Sequence, residues 1–126
     1  MAVRTPSGSG AGSRSRSWQW TAWSGVALLG LVTVHMVAHH FVVKQVGGLR
    51  TYHQVLQYIG NPWIFTIESI FLVVVTIHAM LGLRSVLFDL GLSAVAKRRL
   101  NRGLVVLGGL TIAYGFVLIG VLASRA

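Results

Sequence analysis

The chain has 126 residues, 54% of them hydrophobic and only 10% charged, with two acidic side chains, Glu68 and Asp89, against eleven basic ones and a formal net charge of +9. Soluble domains carry about 25% charged residues and need a polar coat, so this balance, with a mean hydropathy of +0.71, excludes water as the main solvent. The basic residues are dispersed and gather at the ends of apolar segments, which argues for membrane topology and against nucleic-acid binding.

Residues Met1 to Ser17 are rich in Ser, Gly and Arg and hold no apolar cluster to offset the entropy of ordering, which predicts a flexible tail before the membrane-anchor region of residues 18–126. The apolar run that follows is too long for a signal peptide and lacks a small-residue cleavage site. A first span, about Trp20 to Val43, carries no charge and is long enough to cross a hydrocarbon core of roughly 30 Å at about 1.5 Å per residue. Lys44 to Gly60 reads as a polar loop containing Gly47, Gly48, Tyr52 and Tyr58, and Asn61-Pro62 supplies the cap and first-turn proline of the next helix.

The second span runs from about Pro62 to Phe88, broken only by Glu68 near its start and by Arg84 near its end, where a long side chain can snorkel. Asp89, Gly91 and the basic run Lys97-Arg98-Arg99 close it off. A third span, roughly Leu104 to Ala123, follows Gly103 and holds Gly108, Gly109, Gly115 and Gly120, which permit close approach between helices in lipid. The expected fold is all-α and integral to the membrane, with three transmembrane helices packing against a partner subunit in a helical bundle.

A cytoplasmic N-terminus puts Arg4, Arg14, Arg16, Arg84, Lys97, Arg98, Arg99 and Arg102 inside and Lys44, Arg50 and Arg125 outside, eight against three. Trp18, Trp20 and Trp23 then mark the inner interface and Trp63 the outer one, in a multi-pass protein of the cytoplasmic membrane.

Cysteine is absent, which excludes disulfides, iron–sulfur ligation and thiolate zinc sites within the chain, so a metal cofactor must be held by histidine. Of the five histidines, His35, His39, His40 and His78 lie in or at the end of apolar helices, where an unpaired imidazole is expensive. Haem ligation by histidines from different helices meets that need; so does hydrogen bonding to a neighbouring helix. His78, Gly82, Ser85 and Asp89 line one stripe of the second span, with glycine one turn from the histidine leaving room for a macrocycle. In the first span His35 and His39 share a face while His40 points elsewhere. An i, i+4 histidine pair also suits zinc, but no third ligand or catalytic carboxylate accompanies it along the chain.

Counted from the cytoplasmic ends, His78 lies roughly 15 Å deep and His35 roughly 22 Å. Ligation by both helices therefore favours two stacked haems, with His35 or His40 on the distal one. Arg84 is a candidate for a haem propionate or a quinone carbonyl and equally for a snorkelling charge. Glu68 has three open roles: a protonated acid, an inter-helix hydrogen bond, or a step in a proton path. No nucleophile-base-orienter set, phosphate-binding loop or acidic pair points to independent catalysis.

The segment from His78 to Asp89, a histidine with glycine four residues on and a closing aspartate, resembles the second-helix motif of succinate dehydrogenase and fumarate reductase membrane anchors. Ser24-Gly25 is similar to that family's first-helix entry, and His35 with His40-Phe41 to the first-helix histidines of archaeal and Thermus-like anchors. The resemblance covers roughly residues 20–123 and looks like the smaller, D-type anchor. It implies that His78 is an axial ligand of haem b, with the other ligand on a C-type partner anchor. It further implies iron–sulfur and flavoprotein subunits and a quinone bound near the cytoplasmic surface, with Arg84, Asp89 and Ser24 as candidate contacts. Leu90 and Trp23 depart from the family pattern where it has tyrosine and arginine. The alternative reading is a haem-free structural subunit that docks a soluble partner, separable from the first by the absorbance spectrum of the complex.

Overall fold

The computed structural model of the chain describes residues 16–41 and 51–126. The tail before Arg16, with Arg4 and Arg14, and the segment holding Val43, Lys44, Gly47, Gly48 and Arg50 lie outside the described residues. Four helices follow in order: α1 (Arg16–Phe41), α2 (Tyr52–Ile59), α3 (Pro62–Phe88) and α4 (Ala94–Ser124). Among the described residues there is no strand, and three helices, α1, α3 and α4, are long and apolar enough to span a membrane.

Local sequence accounts for where each helix begins. The Asn61 side chain accepts the Trp63 backbone N–H at 3.0 Å and Pro62 occupies the first turn, which starts α3. Short α2 lies inside the segment that reads as a loop. Thr51 accepts the Gln54 N–H while the Gln54 side chain accepts the Thr51 N–H, a reciprocal cap, and the helix buries Leu56, Tyr58 and Ile59. Ser93 caps α4 through the Ala96 N–H, so that helix begins ten residues before Leu104, with Lys97, Arg98, Arg99 and Arg102 on its first turns. Lys and Arg are good helix formers, and a helix of 31 residues extends about 46 Å, well past the hydrocarbon core. Gly91, at φ 71°, takes the left-handed conformation that the reversal between α3 and α4 requires.

Helix α3 is the centre of an open layer, its backbone packing closely against both α1 and α4, while among the described residues the α1 and α4 backbones stay more than 8 Å apart, Cα to Cα. The α3–α4 crossing is close because Gly108 faces Met80 and Thr76: a Cβ there would lie 3.1 Å from Met80 Cγ. A small buried cluster of Ala38, Tyr58, Ile59 and Ile64, backed by Ile119 and Leu122, ties α2 to one end of the bundle. Elsewhere large apolar side chains face outward, Trp23, Leu29, Phe41, Trp63 and Tyr114 among them, as lipid or partner helices demand.

Candidate functional site

Helices α1 and α3 run antiparallel, and polar side chains join them at successive levels, pairing Ser17 with Arg84, Ser24 with His78, and His35 with Glu68. In a medium without water such groups are retained only where each finds a partner.

At the middle level, Ser24 Oγ lies 3.0 Å from the Thr21 carbonyl and 3.0 Å from His78 Nδ1. When the hydroxyl donates to Thr21 it accepts from His78, which then carries its proton on Nδ1 and keeps the Nε2 lone pair unspent. Gly25 makes room for the ring, since a Cβ at that position would lie 3.3 Å from His78 Cε1. Ser24 and Gly25 thus act on one imidazole, one through a hydrogen bond to Nδ1 and the other by leaving it space.

One to two turns further along α3, Arg84 Nη1 donates to Ser17 Oγ at 3.0 Å and the guanidinium lies over the Phe88 ring at 4.6 Å. Its Nε is buried with no hydrogen-bond partner, a donor available to an acidic or carbonyl group. Arg84 also lines a largely apolar groove of 270 Å³ between α3 and α4, with Asn101, Thr76, Met80 and Gly108. Asp89 is exposed and closes α3 as its C-cap residue.

At the third level Glu68 Oε1 accepts the Tyr58 hydroxyl at 2.8 Å and lies 2.8 Å from His35 Nδ1 and 3.7 Å from His39 Nε2. The His35 and His39 rings are 4.2 Å apart, His35 stacks on Phe71 at 5.1 Å, and His39 meets the Tyr58 ring at 4.5 Å. His40 is exposed beside Phe41, away from this cluster. Glu68 and His78 are ten residues apart on α3, about 15 Å along its axis, so the two levels are separate sites. Tyr58 escaped the sequence reading, and so did the convergence of Glu68 on the histidine pair. The shared face of His35 and His39 was the visible half of that signal.

Three helices long and apolar enough to cross a membrane, two of them joined by paired polar side chains, define a multi-pass membrane protein. The chain matches the family described as Succinate dehydrogenase/Fumarate reductase transmembrane subunit over residues 9–118, and it belongs to that family. It is also 30% identical over 95 residues to a Thermoplasma acidophilum protein named "Succinate dehydrogenase hydrophobic membrane anchor subunit", a match that covers 75% of this chain and 76% of the relative. The chain is therefore a membrane-anchor subunit of such a complex and is not itself the catalytic subunit.

Proposed function

We propose that this anchor ligates haem b through His78 Nε2, with the second axial ligand on the companion C-type anchor, and that it helps form a quinone site beside Arg84. The observation that carries the reading is the Ser24–His78 hydrogen bond at 3.0 Å. It orients the ring and, with the Ser24 proton on the Thr21 carbonyl, favours the Nδ1–H tautomer that an iron-ligating histidine needs. The orphaned Nε of Arg84 and the space kept by Gly25 fit the same group, the first as a donor to a propionate, the second as clearance at the ring. When bound, the haem supplies a one-electron relay in the membrane.

The groove between α3 and α4 suits the apolar body of a quinone, with Arg84 and Asn101 as its polar groups; Asp89 belongs to the same end of α3. On this reading the N-terminus and the α3–α4 connection face the cytoplasm, towards iron–sulfur and flavoprotein subunits. That orientation rests on Arg16, Arg84, Lys97, Arg98, Arg99 and Arg102 lying at one end of the bundle.

The competing reading is a haem-free docking subunit. It draws on the fact that both His35 and His78 already make inter-helix hydrogen bonds. Reduced-minus-oxidised spectra and pyridine haemochrome of the purified complex separate the two. Bands of b type that His78→Ala abolishes, in a complex that still assembles, support ligation; a complex with no such bands leaves only the docking role. A stoichiometry of one haem also removes the distal role expected of His35 or His40.

A further inference from the structure

The geometry points to a second site: a divalent-cation site of the zinc class formed by His35 and His39 of α1 and Glu68 of α3. The ligand atoms of these three residues lie within 4.8 Å of one another. Around a tetrahedral zinc with bonds of about 2.0–2.1 Å, donor atoms are separated by roughly 3.3 Å. The distances from Glu68 Oε1 to His35 Nδ1 and His39 Nε2, 2.8 and 3.7 Å, fall on either side of that value. Small side-chain adjustments bring the set to a metal.

The donor chemistry agrees. Two imidazoles one helical turn apart with a carboxylate from a neighbouring helix give the two-histidine, one-carboxylate set that leaves a fourth position for water. The carboxylate is held in place by the Tyr58 hydroxyl at 2.8 Å, and the His35 ring by Phe71, so the ligands are oriented from outside the set. The side chains of His35, His39 and Glu68 are 25%, 31% and 13% exposed, so much of the set is shielded by the chain itself. On binding, the neutral His35 ring carries its single proton on Nε2 and offers the Nδ1 lone pair to the metal in place of its contact with Glu68.

This site stands apart from the proposed haem ligand, about 15 Å away along α3. It also makes a demand on His35 opposite to a distal-haem role, because zinc uses the nitrogen that faces Glu68.

The test uses the whole detergent-purified complex, dialysed against a chelator and then titrated with zinc chloride, with bound zinc counted by mass spectrometry. Zinc K-edge absorption reads the coordination. The expected result is one zinc per copy of this chain, with imidazole ligands at about 2.0–2.1 Å. Glu68→Gln and His39→Gln should each weaken binding at least tenfold, whereas His53→Gln and His40→Gln leave it unchanged. His39→Gln keeps the shorter His35–Glu68 contact, so it guards against a Glu68 variant that fails to assemble, and intact haem bands report assembly. Equal zinc in parent and His39→Gln complexes overturns the proposal, as does a second haem that His35→Gln removes. His78→Ala should abolish the haem bands and leave zinc binding intact, so failure of one reading is distinguishable from failure of the other.

Discussion

Replacing Ser24 by alanine tests how the imidazole at position 78 is prepared for iron. The substitution removes the acceptor that lies 3.0 Å from His78 Nδ1 and leaves the Thr21 carbonyl satisfied within α1, since Ser24 bonds it only as an extra donor. An unsatisfied donor in a shielded site costs about 1–3 kcal/mol, but hydrogen bonds between membrane helices are worth less, about 0.6 kcal/mol on average. Fold stability should therefore change little. Outer-shell partners of ligating histidines are worth about 10–100-fold in affinity, or about 1.4–2.8 kcal/mol, and that is where the loss should appear. The assay is transfer of haem from the complex to excess apomyoglobin, followed at the Soret band. Ser24→Ala should accelerate transfer by about tenfold or more, and Ser24→Thr, which keeps the hydroxyl, should restore most of the retention. Gly25→Val should also accelerate it, because its side chain must displace the ring whose Cε1 stands 3.3 Å from the added Cβ. If Ser24→Ala holds haem as tightly as the parent while His78→Ala holds none, the hydrogen bond has no part in ligation and the tautomer argument fails.

Arg84→Gln should lower succinate:quinone activity by about tenfold while succinate:dye activity, which bypasses the quinone site, stays near the parent value. Gly108→Val should lower the thermal stability of the complex by several degrees, because the added side chain meets Met80 and Thr76; Gly103→Ala, with open space at its Cβ, should not. Asn61→Ala should cost about 1 kcal/mol at the start of α3, measured as an earlier denaturation midpoint. The chain has no cysteine, so single cysteines report topology: Leu90→Cys should react with an impermeant maleimide only from the cytoplasmic side and His53→Cys only from the opposite one.

The spanning segments were legible because uninterrupted apolar runs have one stable solution in lipid, and Asn61-Pro62 and the Gly91 reversal bound them with local signals. Helix α2 was not read, although its cap stood in the sequence as Thr51 followed three residues later by Gln54; its eight residues sit among polar and glycine neighbours that mask the period. The early start of α4 was hidden by its cationic turns, whose charge signals the membrane boundary but not the end of the helix. His78 stood out by its motif, and Ser24-Gly25 by resemblance, but their contact with each other spans 54 positions and only the antiparallel register of α1 and α3 reveals it. The same holds for His35 and Glu68, 33 positions apart, where the histidine pair was visible and its third ligand was not.

The two helix contacts of α3 are built on different physics. Against α4, Gly108 lets side chains of α3 approach the backbone, a van der Waals contact that tolerates small shifts. Against α1, hydrogen bonds at Arg84, His78 and Glu68 must all be satisfied in one register, and a slip of one helical turn, about 5.4 Å, breaks every one of them. The polar groups that fix this register are the same groups to which the roles proposed above are assigned. It follows that removing any one of them perturbs helix pairing and ligand binding together. The diagnostic substitutions are therefore those that keep a partner for the neighbouring helix while changing the chemistry, such as Glu68→Gln at the third level, with Ser24→Thr, which keeps the hydroxyl, as the control at the middle one.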